Sequence, residues 1–365
     1  MSSSSRIPPL LQPYVKLPRE DSLLLLTSTL GASANWLLIR FLCDALSNNN
    51  HDGGADEGHN VVLASWMRDY EFWKQEARKG AGLDLERLRR EKRFAFVDGL
   101  SGLVMGDVKD AHIQQPQAQG QSMPPRPQAQ SPPQRASPML PVRGPPGRIV
   151  PARGPPAPTA QPARPASSTT APAAATPQSN TSSQTALEHH TLTSLDLTHL
   201  KTTLTAAIAS LISTPTRKTL LILDTPDLPL ALTSTSPSVF TSLILQLHNT
   251  PTVSHILTHL HADTPLLTPS APPQPLETAQ YNFLTKVAHM SRRVIGTRVL
   301  DTGVARDVSG VVRVTEQRVG WGDLGLEGED GKMDADDSGK GKEFLYQVKG
   351  DGSVKVFERG AGGEG

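Results

Sequence analysis

Two apolar runs end in aspartate, Phe94-Ala95-Phe96-Val97-Asp98 and Leu220-Leu221-Ile222-Leu223-Asp224. A third, Ser22-Leu23-Leu24-Leu25-Leu26-Thr27, feeds the small-residue turn Ser28-Thr29-Leu30-Gly31-Ala32-Ser33-Ala34 and then apolar positions at helical spacing. A strand, a small-residue turn and a helix form the frame of a phosphate-binding loop. An aspartate at the end of a neighbouring strand is how such proteins hold Mg²⁺. A working loop also needs a lysine that reaches the β/γ-phosphates. Here no lysine occurs between Lys16 and Lys74, and the nearest cation, Arg40, falls well inside the helix. The frame of a nucleotide-binding domain is present without its principal cation, which points to a non-catalytic member of such a fold. The aspartates also have a plain reading, because Asp favours the turns that end strands.

Other residues invite chemistry less strongly. Gly99-Leu100-Ser101-Gly102-Leu103 approaches a nucleophile elbow, but G-x-S-x-G needs its second glycine one residue later. His255, His259 and His261 share one face of an expected strand. Imidazoles so placed can bind a metal, yet no cysteine or carboxylate pair joins them, so they read as ordinary strand histidines. The one cysteine, Cys43, cannot form an internal disulfide, which fits a reducing compartment, and no cation adjoins it to activate the thiol. Leu83 to Arg93 reads as a short helix with a cationic end, which the helix dipole alone would favour. Arg87, Arg90, Lys92 and Arg93 are its candidate RNA-phosphate contacts.

The elements that would position these residues alternate between strand and helix. Expected strands cover Leu23–Thr27, Asn60–Trp66 and Phe94–Asp98, then Thr219–Asp224, His255–Leu260 and Arg293–Leu300. Expected helices cover Ser33–Leu46, Asp69–Lys79 with Gly80 as its stop, Asp84–Glu91, Leu192–Ser213, Pro237–His248 and Leu276–Ser291. Alternating apolar and polar residues over Val308–Gln317, Glu343–Val348 and Ser353–Glu358 then indicate an antiparallel meander, its last turn Lys349-Gly350-Asp351-Gly352. Between Ala111 and Leu187 there is no acidic residue, no lysine and no aromatic. That composition cannot bury enough apolar surface to order itself. Residues 113–186 therefore read as a disordered Pro/Ala/Gln/Arg-rich insert, a solvated tether or a weak basic arm. It separates two halves, 1–112 and 187–320, neither with enough strands to bury a sheet alone. Residues 321–365 read as an acidic Gly-rich loop and terminal hairpin. The expected fold is a single α/β domain, mainly parallel, with a C-terminal antiparallel meander.

Composition sets outer bounds. The chain has 365 residues with 32 prolines, but only eight phenylalanines, four tryptophans and four tyrosines, so part of it is not core. A net charge of +1 gives no global field toward nucleic acid or membrane. The N-terminus lacks the basic start and apolar stretch of a secretory signal, and no apolar run nears the roughly 20 residues that span a bilayer. The expectation is a soluble intracellular protein.

Several segments, in order, resemble one family. They are Pro8-Pro9-Leu10-Leu11-Gln12-Pro13-Tyr14, Leu30-Gly31-Ala32-Ser33-Ala34-Asn35-Trp36-Leu37, Ser65-Trp66-Met67-Arg68-Asp69-Tyr70-Glu71-Phe72-Trp73, Arg93-Phe94-Ala95-Phe96-Val97-Asp98-Gly99-Leu100 and Thr302-Gly303-Val304-Ala305-Arg306-Asp307-Val308-Ser309-Gly310. Together they look like the sixth subunit of the Elongator complex in its filamentous-fungal form, over residues 7–112 and 187–320. The resemblance implies a RecA-like fold without an ATPase signature or a cofactor. It implies a six-membered ring with the fourth and fifth subunits, within a complex that modifies the wobble uridine of transfer RNA. The ring is expected to bind transfer RNA, and the setting is the cytoplasm with the nucleus as a second compartment. Trp36, Tyr70, Trp73 and Arg306 are the candidate subunit contacts. Two alternatives remain open: an active RecA-like ATPase with a degenerate loop rescued by another cation, and a hydrolase using Ser101.

Overall fold

The computed structural model describes residues 7–46, 58–103, 190–212, 217–233, 235–268, 270–303, 305–317 and 341–359. The insert at 113–186 and the acidic loop before Gly341 lie outside these residues. The 3₁₀ turn Pro9–Leu11 runs into α1 (Gln12–Val15). There follow β1 (Ser22–Ser28), α2 (Asn35–Leu46), β2 (Asn60–Ser65), α3 (Tyr70–Ala81), α4 (Leu85–Arg90) and β3 (Phe94–Asp98). After the insert come β4 (His190–Thr191), α5 (Leu197–Ala209), β5 (Thr219–Asp224), α6 (Asp227–Leu232), α7 (Pro237–His248) and β6 (Val253–His261). The remainder is α8 (Thr264–Leu267), α9 (Pro275–Met290), β7 (Ser291–Arg298), β8 (Gly310–Glu316), β9 (Lys342–Val348) and β10 (Val354–Glu358).

The strands form one 10-stranded sheet, ordered β10-β9-β8-β7-β1-β6-β5-β2-β3-β4. From β7 to β4 every pairing is parallel, and from β7 to β10 every pairing is antiparallel. Strands from both sides of the insert interleave, so the two halves are one domain. β2 lies between β3 and β5, and β1 lies between β6 and β7. Parallel strands covered on both faces read as continuous apolar runs. Accordingly every residue of β2 and of β5 is buried.

Side chains alternate across each strand, and each face has its own core. Leu24, Leu26, Val61, Leu63, Leu220 and Ile222 pack against α2, α3 and α4. Leu23, Leu25, Val62, Leu221 and Leu223 pack against α5, α7 and α9. α2 is buried nearly all round, Arg40 included, which marks it as an interior helix.

Two expectations on the elements need correction. The helix expected from Leu192 starts only at Leu197, because Asp196 caps it by accepting from the His199 amide at 3.3 Å and His190–Thr191 has joined the sheet edge. The helix expected to stop at Gly80 runs to Ala81, and Gly82 supplies the left-handed cap at φ 62°. Three short helices, α1, α6 and α8, were not expected. Their few residues carry too little periodicity to register.

Candidate functional site

The C-terminal ends of β1, β6, β5 and β2 lie side by side, the position where open α/β sheets bind ligands. Register pairs Ser65 with Asp224 and Asp224 with His259, while Ser28 pairs with His261, two residues beyond His259. Ser28, His259, Asp224 and Ser65 all point to the α2 face and are 0–3 % exposed. They form a continuous hydrogen-bonded row. The Ser65 hydroxyl donates to Asp224 Oδ2 at 2.7 Å. His259 Nδ1 meets Asp224 Oδ1 at 2.7 Å, and its Nε2 meets Ser28 Oγ at 2.8 Å. An ionised carboxylate only accepts, so Nδ1 donates to Asp224, and Nε2 shares the second hydrogen bond with the Ser28 hydroxyl. Next to the row, Thr225 takes φ 58°, a left-handed conformation unfavourable for a β-branched residue. Its amide donates to the His259 carbonyl at 3.0 Å and its hydroxyl to the Asp224 carbonyl at 2.7 Å, which hold it there.

The β1–α2 loop above the row is closed on itself. Gly31 turns at φ 85°. The Ala32 amide donates to the Thr29 carbonyl at 2.9 Å, and the Leu30 amide to Asp263 Oδ1 at 2.7 Å. The Thr297 hydroxyl donates to the Ala32 carbonyl at 2.8 Å. A phosphate loop keeps such amides free for phosphate oxygens; here two of them are already used. The loop presents Leu30, 87 % exposed, beside Val299, 45 % exposed.

Arg40 does not face this loop. Its guanidinium donates to the Gly80 carbonyl at 2.8 Å and to the Gly352 carbonyl at 2.9 Å. It thereby ties the last turn of α3 to the β9–β10 hairpin, from a side chain only 1 % exposed.

The other anticipated residues fall elsewhere. Asp98 ends β3, where its Oδ1 accepts from the Leu100 and Ser101 amides at 2.9 and 2.8 Å. That makes Ser101 an exposed turn residue. Its glycines answer to packing: a Cβ at Gly99 would lie 2.7 Å from the Trp66 ring, and one at Gly102 would strike the Leu192 carbonyl. Trp36, Tyr70 and Trp73 are buried within the subunit, at 8 %, 8 % and 0 % exposure. Trp36 packs on Tyr346 at 4.9 Å and Tyr70 on Phe96 at 5.5 Å. These three aromatics therefore build the core between α2, α3 and the sheet and are not surface contacts, which corrects their assignment. Arg306 is exposed in the turn before β8. Arg87, Arg90 and Lys92 are exposed, Arg87 pairing with Glu91 at 2.7 Å and Arg90 donating to the Glu86 carbonyl at 3.4 Å, while half-buried Arg93 donates to the Leu46 carbonyl at 2.9 Å.

His255 and His261 do not join the row. His255 meets Pro18 and Ser254, and His261 approaches Asp227. Among the described residues no group of three His, Cys, Asp or Glu side chains is arranged to hold a metal. No described helix is long and apolar enough to cross a membrane. The row was hidden in the sequence because its members come from four separate strands. The available signal was a polar residue closing three of the strands, Ser28, Ser65 and Asp224; His259 lies within its strand and gave none.

This strand order, with helices on both faces, is that of a RecA-like α/β domain extended by an antiparallel meander. No family model and no curated protein matches the chain. Among solved structures, it is similar to a KaiC-like protein of the archaeon Pyrococcus horikoshii OT3. The identity is 11 %, over 98 % of this chain and 99 % of that one, with a TM-score of 0.41. A likeness of that degree carries no argument about function.

Proposed function

We propose that the chain is a non-catalytic structural and regulatory subunit, the sixth subunit of the Elongator complex, in a six-membered RecA-like ring with the fourth and fifth subunits. That ring supports wobble-uridine modification of transfer RNA. The observation that carries the non-catalytic reading is where the two key charges go. Arg40 is spent on the Gly80 and Gly352 carbonyls, and Asp224 is spent on His259 and Ser65. The ordered sequence segments support the particular complex. The self-closed β1–α2 loop supports the ring, since its exposed Leu30, with Val299 after β7, lies on the nucleotide-loop face that RecA-like rings bury against a neighbour. Arg306 is the polar contact proposed for the same assembly, and Arg87, Arg90 and Lys92 are the exposed residues through which this subunit would touch transfer RNA.

Two measurements test this reading. The isolated chain is expected to turn over ATP no faster than a buffer blank, and turnover abolished by Asp224→Ala would favour the ATPase alternative. Native mass spectrometry of the chain with the fourth and fifth subunits is expected to show a six-membered assembly that Arg306→Glu weakens without altering the monomer's circular dichroism. A homogeneous monomer in the presence of both partners would end the ring reading.

A further inference from the structure

Mg²⁺–nucleotide sites in P-loop domains draw on a hydroxyl from the loop and an aspartate at a strand end. In this chain the aspartate position, Asp224, is joined through an imidazole to Ser28, the last residue of β1. Each side chain along the line is hydrogen-bonded to the next. The Arg68 amide donates to Ser65 Oγ at 3.2 Å, Ser65 donates to Asp224, and His259 joins Asp224 through Nδ1 and Ser28 through Nε2. A buried polar network so connected rigidifies the elements it joins. The elements joined are β2, β5, β6 and β1, and the last carries the β1–α2 loop.

We propose that this row is an internal replacement for a bound metal–phosphate group. It closes the cation position at the end of β5 and holds the β1–α2 loop in one conformation with no ligand present. The face that bears Leu30 is then fixed by the fold and does not follow nucleotide. The inference rests on the non-catalytic reading of the loop and is independent of the ring. The same Ser-His-Asp order could serve a hydrolase. Against that, Ser28 is 3 % exposed and the nearby Leu30 and Ala32 amides, which could have stabilised an oxyanion, already have acceptors.

The full-length chain tests it in two ways. Mn²⁺, alone and with ATP, is followed by electron paramagnetic resonance; no bound signal is expected from the wild type at millimolar concentrations. Amide exchange is then compared between wild type and His259→Ala. Exchange of the Leu30 and Ala32 amides is expected to rise roughly tenfold or more, the loss of a hydrogen bond to a charged partner. His259→Asn, which can keep a donor toward Asp224, is expected to fall between the two and provides the comparison where the alanine variant does not fold. The proposal is overturned by Mn²⁺–ATP binding that Asp224→Asn removes, by loop exchange unchanged in the variants, or by covalent labelling of Ser28 with a fluorophosphonate. Failure to assemble with the proposed ring partners would bear on the ring alone, because neither measurement uses a partner.

Discussion

His255 and His259 lie four residues apart on the same face of β6, and their surroundings treat them differently. His259 has a carboxylate on one nitrogen and a hydroxyl on the other. His255 has the Ser254 hydroxyl at 2.9 Å and the Pro18 carbonyl at 3.1 Å. Burial, and then the neighbouring His59, push His255 down to about 4, against a weaker upward pull from Asp21. The folded protein therefore holds His255 neutral while the unfolded chain protonates it near its ordinary value. That contribution to stability is fully present above pH 6.5 and is lost as pH falls toward 4, at most about 3 kcal/mol. His261 works in the opposite sense. Its hydrogen bond to Asp227 raises its pKa, so its contribution is full below 6.5 and fades as pH rises through the folded value. Urea denaturation at stepped pH is expected to show stability falling from pH 6.5 to 4, with a slope reduced in His255→Asn. Arg40 is the second decisive residue. Removing it leaves the Gly80 and Gly352 carbonyls without their guanidinium donor, so Arg40→Ala is expected to cost about 3 kcal/mol or more in denaturant melts. If Arg40 instead served ATP, the variant would lose turnover and keep its stability.

At the scale of elements, short side-chain caps define where helices begin. Asp69, Asp84 and Asp196 accept from the amides of Phe72, Arg87 and His199. Asp69 and Asp84 were legible as starts because an apolar period follows each directly. Asp196 was not, because Leu192 and the threonines before it extend the apolar pattern upstream. Asp196→Ala is expected to cost about 1 kcal/mol, read as a lower melting temperature. The β9–β10 hairpin depends on close backbone approach. Gly352 takes φ 80°, and a Cβ there would lie 3.1 Å from the Gly80 Cα. Gly352→Ala is expected to loosen the hairpin from α3 and raise amide exchange in β10 more than in β1. The turn itself was evident in Lys349-Gly350-Asp351-Gly352; its seat on α3 was not, because Gly80 and Arg40 lie far away in the chain.

At the scale of the whole molecule, the insert leaves the sheet after β3 and the chain returns as β4 beside that same strand. Val97 pairs with His190 and Asp98 with Thr191. The two ends of the excursion are thus neighbours. Loop closure entropy grows only slowly with length. Replacing residues 115–184 with a short flexible linker is expected to leave the melting transition cooperative and within a few degrees of the full chain, and loss of that transition would show that the insert has a structural part. The exposed Leu30 and Val299 lie at the C-terminal end of β1, the same end of the parallel sheet from which the insert departs, outside the chain's own core.

The order of strands and helices, the meander and the missing loop lysine were all present in the sequence, because hydrophobic period and turn chemistry are local properties. So was the unity of the two halves, since neither could bury a sheet alone. What tertiary structure decided was the fate of particular side chains. Trp36, Tyr70 and Trp73 have the composition of an interface, and only packing between α2, α3 and the sheet turns them inward. Arg40 is the nearest cation to the loop along the chain, and its guanidinium instead lies against Gly80 and Gly352. Ser28, Ser65, Asp224 and His259 are scattered over more than half the sequence. Parallel register alone brings them into one row, because the pairing of strands fixes which residues share a face and sequence distance does not enter into it.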